Sequence, residues 1–225
     1  MTMAEDEFPD TAPRTAHAAG PTDGPRIMRI FLALEIPEAV RGAMGDAQWA
    51  LRRRGDLPAQ WTQADDAHLT LLFFGNVMAT HLPEIVAAIS PVTARHSPFL
   101  LRLGDIGAFP SLDAPRVVWL GIAGQLDALI ALQGEMAAVM GGVAGVVADR
   151  KAFRPHLTLA RIDARRDKPG VSAVVEALAH PLSVPPLAWD VARVVLLRTM
   201  PGGGRHGARY TTLHAFPLAA TQSGA

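Results

Sequence analysis

The chain of 225 residues contains no cysteine. Without thiols it can form no disulfide framework, no thiolate metal site and no cysteine-linked intermediate. Long apolar runs are missing too, because no segment reaches the roughly 18 consecutive apolar residues of a membrane-spanning helix. Residues 1–10 have neither the basic region nor the apolar region of a secretory signal. These absences favour a cytoplasmic protein without membrane association.

The net charge is zero, because 21 Lys and Arg balance 21 Asp and Glu. This excludes a uniformly basic nucleic-acid binder but says nothing about local charge. Residues 1–26 hold five acids and two arginines without an apolar period, which predicts a disordered acidic tail. The remainder is therefore +3. Basic residues are concentrated between Asp149 and Lys168 and after Val191, where a phosphate-rich partner would find a complementary surface.

Apolar runs of strand length alternate with segments of helical pattern, which predicts an α/β or α+β fold. Hydrophobic residues make up 49% of the chain, enough for a globular core. Helices are predicted at 38–54, 81–95, 125–140 and 171–180. Strands are predicted at 29–36, 68–74, 99–106, 116–121, 154–161, 188–199 and 208–216.

The most informative feature is a repeated tetrapeptide, His-Leu-Thr-Leu, at His68–Leu71 and again at His156–Leu159. In a strand the side chains alternate between two faces, so His and Thr share one face and the two leucines share the other. The leucines can anchor each strand on a core while His and Thr project into a cleft. Two imidazoles can act as acid and base at neutral pH, and two hydroxyls can bind phosphate oxygens.

Other interpretations of the repeat are open. A single histidine on a half-apolar strand is more often structural than catalytic, and threonine is common in strands. A metal site is weakly supported, because the repeat supplies only two imidazole ligands and neither copy has a histidine or carboxylate two or four residues after its histidine. The exact repetition favours function for the pair, and no metal or cofactor is expected.

The paired motifs resemble the 2H phosphoesterase superfamily, and within it the RNA 2′,3′-cyclic phosphodiesterase family, also called the 2′-5′ RNA ligase or LigT-like family. The resemblance covers about residues 27–218. It rests on segments that occur in the family's order: Arg29–Pro37, Trp61 with His68–Gly75, Gly107–Ser111 with Pro115–Gly121, Phe153–Arg161, and Arg209–Tyr210 with His214–Leu218.

The resemblance implies an α+β, bilobal fold in which two antiparallel sheets, related by a pseudo-two-fold axis, flank a central cleft. Residues 27–218 would form one catalytic domain, and residues 219–225 a disordered end. The implied reaction is metal-independent opening of an RNA 2′,3′-cyclic phosphate to a 2′-phosphomonoester, by a monomeric enzyme that needs no cofactor. The implied partners are RNAs with cyclic-phosphate ends, tRNA fragments among them.

The resemblance also assigns roles. His68 would be the proton donor, His156 the proton acceptor, and Thr70 and Thr158 the ligands of the phosphate oxygens. The symmetry of the repeat does not by itself distinguish the two histidines.

Residues beside the second motif are further candidates for substrate binding. Arg154 shares a face with His156 if the strand extends through Pro155, whereas Arg161 would lie on the opposite face of an unbroken strand. Phe153 could stack a base or belong to the core. The alternative functions are hydrolysis of small cyclic nucleotides or 2′-5′ linked oligonucleotides, ATP-independent 2′-5′ ligation, and RNA-end binding without catalysis.

Overall fold

The computed structural model describes residues 26–143, 145–147, 152–162, 168–200 and 209–219. The acidic tail and the C-terminal end predicted from the sequence lie outside these residues, apart from Arg26 and Ala219, as do Arg205 and part of the basic segment around the second motif. The prediction that residues 27–218 form one domain therefore remains a prediction at its boundaries.

Nine strands and four helices follow one another along the described part of the chain. The helices are α1 (Glu38–Arg52), α2 (Leu82–Thr93), α3 (Leu126–Met140) and α4 (Lys168–Ala179). The strands are β1 (Ile27–Glu35), β2 (Ala59–Trp61), β3 (His68–Met78), β4 (Phe99–Phe109), β5 (Val117–Gly124), β6 (His156–Ile162), β7 (Ala188–Val191), β8 (Arg193–Met200) and β9 (Arg209–Pro217).

The strands form two antiparallel sheets. The first sheet has the order β3-β1-β8-β9, and the second has the order β2-β6-β5-β4-β7. Each sheet contains one copy of the repeated tetrapeptide, in β3 and in β6. The α+β class and the bilobal arrangement predicted from the sequence are confirmed.

The core follows from side-chain alternation along the strands. In β1, Ile30, Leu32 and Leu34 face the main core, where they pack with residues from the helices and from the second sheet. Phe31 and Ala33 point the other way and form a separate buried cluster with Val195 and Leu197. The first sheet is therefore apolar on both faces, and its second face supports the residues described below.

The structure differs from the sequence-based strands at three places. The strand predicted at 154–161 begins only at His156, so it does not extend through Pro155 to Arg154. The single strand predicted at 188–199 is two strands, because the chain leaves the second sheet after Val191 and joins the first sheet at Arg193. The three-residue β2 was missed, because so short an edge strand carries no alternation signal. None of the described helices combines the length and the hydropathy that crossing a membrane requires.

Candidate active site

Each copy of the tetrapeptide begins a strand, β3 at the edge of the first sheet and β6 inside the second. In β3, His68 lies opposite Glu35 and Thr70 opposite Ala33, and in β6, His156 lies opposite Gly121. Leu69 and Leu157 are both 0% exposed, whereas the histidine and threonine of each copy are half-buried. The structure thus anchors each strand by its leucines, as the alternation predicted.

Both histidine rings are anchored in the same way. Nδ1 of His68 lies 2.8 Å from the carbonyl oxygen of Asp66, and Nδ1 of His156 lies 2.6 Å from that of Arg154. A carbonyl oxygen only accepts, so Nδ1 donates and carries the proton of the neutral ring. Nε2 of each imidazole is then the atom available for proton transfer.

A β-bulge follows the motif in both strands. In β3, Leu71 is skipped between the pairs Thr70–Ala33 and Leu72–Leu32, and in β6, Leu159 is skipped between Thr158–Trp119 and Ala160–Val118. An extra residue reverses the alternation that follows it.

As a consequence, the fifth residue after each histidine returns to the face of that histidine. This residue is Phe73 in β3 and Arg161 in β6, and both are exposed while their neighbours are buried. The opposite face was expected for Arg161 only in an unbroken strand, and the bulge removes that condition.

His68 lies in an aromatic environment. Its ring centroid is 4.8 Å from that of Phe31 and 4.8 Å from that of Tyr210, which meets it edge-on at 84°. Phe31 and Tyr210 also contact each other at 5.2 Å. Tyr210 comes from the last strand and packs against the buried cluster of the first sheet.

His156 also has aromatic neighbours, and a cation lies close to them. Its ring lies edge-on to Phe109 at 4.9 Å, and Trp119 lies 6.4 Å away. The guanidinium of Arg154 sits 5.7 Å from the centre of the Phe109 ring. Gly107 makes room for this arrangement, because a side chain there would collide with the Trp119 ring.

Two large cavities open beside these histidines. The aromatic cavity, of about 610 Å³, contains Thr70 of the first motif together with His156, and is also lined by Phe73, Phe109, Phe153 and Arg154. The acidic cavity, of about 710 Å³, contains His68 and Tyr210 and is also lined by Glu35, Asp65, Asp66 and Asp190. Because Thr70 and His156 share one cavity, the structure brings the two motifs to a common cleft.

Burial lowers the pKa of both histidines. For His68 the main cause is desolvation, which the bond to the Asp66 carbonyl opposes. Desolvation also dominates for His156, the Arg154 carbonyl opposes it, and the positive charge of Arg161 lowers the pKa further. Burial raises the pKa of Tyr210, with a contribution from Asp66, while Arg161 and Arg29 act in the opposite direction.

The other candidates named from the sequence are placed as follows. Arg154 and Phe153 line the aromatic cavity, and Phe153 also packs against the main core. Thr158 is half-buried beside His156 but lines neither of the two large cavities. Within the described ranges, no group of three or more histidine and acidic side chains is arranged to hold a metal ion.

Three residues of the cleft were missed from the sequence. Phe73 would have been found only with knowledge of the bulge, since it corresponds to Arg161 five residues after the histidine. Phe109 and Tyr210 are far from the motifs along the chain, and tertiary structure alone brings them to the histidines. Tyr210 is the only tyrosine of the chain, which is a weak signal by itself.

Similarity to known proteins agrees with this arrangement. The sequence model of the 2′-5′ RNA ligase superfamily matches residues 37–202 of this chain. An RNA 2′,3′-cyclic phosphodiesterase of Thermus thermophilus is 35% identical over 161 residues, which are 69% of this chain and 78% of the relative. One of Aeropyrum pernix is 30% identical over 165 residues, 73% of this chain and 89% of the relative. One of Geobacillus stearothermophilus is 30% identical over 193 residues, 86% of this chain but 57% of that longer relative.

Solved structures have the same fold. The crystal structure of the Thermus thermophilus protein TT0787 superposes with a TM-score of 0.70 at 28% identity, covering 86% of this chain and 100% of that one. Escherichia coli LigT complexed with 3′-AMP superposes with a TM-score of 0.65 at 25% identity, covering 86% and 99%. The match to the family model and to these relatives confirms the resemblance inferred from the paired motifs: the chain is a member of the 2′-5′ RNA ligase superfamily and has the bilobal 2H phosphoesterase fold.

Proposed function

We propose that this protein is a hydrolase that opens 2′,3′-cyclic phosphates at RNA ends to 2′-phosphomonoesters, with two histidines as acid and base and without a metal. The observation that carries the proposal is the equivalent anchoring of the two imidazoles. Each donates Nδ1–H to a backbone carbonyl two residues earlier, which leaves Nε2 for the reacting atoms. The names of the curated relatives support the substrate class.

The proposed reaction is a single displacement at phosphorus. A water molecule attacks the cyclic phosphate and gives a proton to Nε2 of His156, while Nε2–H of His68 gives a proton to O3′. The P–O3′ bond breaks and the P–O2′ bond remains, so the product carries a 2′-phosphate and a free 3′-hydroxyl. Exchange with solvent then restores the starting protonation of both rings.

The surroundings of the two rings support this division of roles. Arg161 disfavours the imidazolium form of His156, which keeps that ring in the state that accepts a proton. Burial also lowers the pKa of His68, but no cation adds to it, so the bias toward the base role is found only at His156. The family assigns the same roles to the two motifs.

The remaining cleft residues bind the substrate in this proposal. The hydroxyls of Thr70 and Thr158 donate to the non-bridging phosphate oxygens, and Arg161 and Arg154 compensate the phosphate charge. Phe73 and Phe109 give the aromatic cavity surfaces on which the terminal base stacks, with Phe153 beside them.

The proposal is tested with purified protein, a chelator and a short RNA that ends in a 2′,3′-cyclic phosphate. We expect complete conversion to the 2′-phosphate end, identified by its resistance to an enzyme that removes only 3′-phosphates. A 3′-phosphate product would overturn the assignment of the leaving oxygen. Loss of activity that a divalent metal restores would overturn metal independence, and binding without turnover would indicate an RNA-end binder.

A further inference from the structure

Three openings lead away from the two histidines, and they differ in the charge that they present. The aromatic cavity suits the terminal base, as proposed above. The acidic cavity is lined by four carboxylates against Arg41 and Arg193. Arg193 is paired with Glu35 at 2.6 Å, and Arg41 donates to the carbonyl of Ile36 at 2.7 Å. This cavity therefore repels a phosphodiester chain.

The third opening is a groove of about 250 Å³, here called the inner groove, which begins at Arg161 and Tyr210. Gln60 lies directly opposite Arg161 in the pairing of β2 with β6. The rest of the groove is lined by Trp61, Thr62, Gln63 and Asp66. Amide, hydroxyl and guanidinium groups can donate hydrogen bonds to phosphate oxygens and sugars of any base sequence.

A second groove, here called the outer groove, has a volume of about 550 Å³. Trp61 lines both grooves, and the outer groove is completed by Arg52, Gly55, Asp56 and Leu57. The guanidinium of Arg52 sits over the Trp61 ring, 4.7 Å from its centre. A guanidinium held on an indole offers its other face for base stacking and its N–H edge to a phosphate.

We propose that the nucleotides immediately 5′ of the cyclic-phosphate nucleotide run through the inner groove into the outer groove and stack on the Arg52–Trp61 pair. This inference rests on the proposed function, because it extends the same substrate beyond its terminal nucleotide. One carboxylate in each groove, Asp66 and Asp56, balances the cations Arg161 and Arg52. Stacking and hydrogen bonds therefore supply much of the binding along the grooves.

The chain contains a matched control for this pair. Arg53, the residue directly after α1, sits over the ring of Trp49 of α1 at 4.8 Å, and neither residue lines the cleft or the grooves. Trp49 is 61% exposed and points away from the core. The two pairs have the same chemistry and differ in whether an RNA held by the histidines can reach them.

The test compares kcat/KM on a 2′,3′-cyclic mononucleotide with kcat/KM on a trinucleotide that ends in the same nucleotide. For Arg52→Ala we expect about a tenfold loss on the trinucleotide, from the usual size of one stacking contact, and the mononucleotide serves as the internal reference. Arg52→Lys keeps the charge but removes the planar guanidinium. Its kcat/KM on the trinucleotide should fall by about half as much as that of Arg52→Ala on a logarithmic scale. Arg53→Ala should change neither substrate.

Equal losses on both substrates, no loss on the trinucleotide, or an equal loss for Arg53→Ala would overturn the inference. Failure of the proposed function gives a different result from failure of this inference, because the wild-type protein would then turn over neither substrate. In that case the anisotropy of a labelled trinucleotide with a 2′-phosphate end still tests the grooves. Weaker binding by Arg52→Ala than by Arg53→Ala supports them, and equal binding overturns them.

Discussion

The strands β3 and β6 share one backbone design but differ in the side chains around it. Both have a histidine anchored through Nδ1, a threonine on the same face and a bulge after the threonine. His68 is enclosed by Phe31 and Tyr210, whereas His156 lies near Arg161 and packs against Phe109. The shared backbone anchors the two imidazoles in the same way, and the cation near His156 favours the base role that we propose for it.

The fifth position after each histidine shows the same division. The bulge brings Phe73 to the cleft in one strand and Arg161 in the other. An aromatic ring suits a base and a guanidinium suits a phosphate. In the proposed reaction an RNA end would bring a base and a phosphate side by side, and the symmetric scaffold would present a different group to each.

Removing either imidazole is expected to have the largest effect. His68→Ala and His156→Ala should each lower kcat on cyclic-phosphate RNA by about 10²–10⁴-fold, the usual contribution of a general acid or base. The double variant should be little worse than the more impaired single variant, because the two groups act in one step.

The exposed His180 provides the control for these variants. His180→Ala should retain full activity, and all variants should unfold at similar temperatures. Normal turnover by either active-site variant would refute the two-histidine mechanism.

Arg161→Gln is expected to have the next largest effect, and it tests the asymmetry directly. Loss of a charged hydrogen-bond donor to the phosphate should reduce kcat/KM by about 10–100-fold. Removal of the cation should also raise the pKa of His156, and a pH profile of kcat/KM measures this shift. If the profile of the variant superposes on that of the wild type, Arg161 does not bias His156.

Substitution of Tyr210 should have a smaller effect on kcat. Two variants separate the contribution of its ring packing from that of its hydroxyl. Tyr210→Phe keeps the ring against His68 and should change kcat less than about threefold, whereas Tyr210→Ala should lower it by about 2–10-fold, the value of one aromatic contact. Only the alanine variant lets water reach His68. The pKa of His68 should therefore rise toward that of a free histidine in this variant, and an NMR titration of the histidines measures the change. Equal pKa values in the two variants would exclude this positioning role.

The pH optimum of the wild-type protein should be moderately acidic. Burial disfavours both imidazolium rings, so each histidine loses its proton at a lower pH than a free one, whose pKa is 6.5. At a pH between the two pKa values one histidine is protonated and the other is neutral, which is the active form. The pH profile of kcat/KM should therefore be bell-shaped, with its maximum below pH 6.5. A profile that still rises above this pH would contradict the lowered pKa values.

The sequence was sufficient for the fold class and for the shared face of each His-Thr pair, because exact repetition and two-residue alternation are local signals. It was insufficient for the face on which Arg161 lies and for Phe73 as a residue of the cleft. The bulges lie within apolar runs, Leu71–Leu72 and Leu159–Ala160, that look like uninterrupted buried strand. It was also insufficient for Tyr210, which lies on β9, at the opposite edge of the first sheet from β3, and contacts His68 only through the tertiary structure.

The division of roles between the histidines is tested most directly by the pH dependence of single-turnover hydrolysis in the two alanine variants. Without the acceptor His156, the residual rate on cyclic-phosphate RNA should depend on the acid alone and fall as pH rises. Without the donor His68, the rate should depend on the base alone and rise with pH to a plateau. The opposite pair of profiles, or a bell that persists in both variants, would contradict the assignment of His68 as acid and His156 as base.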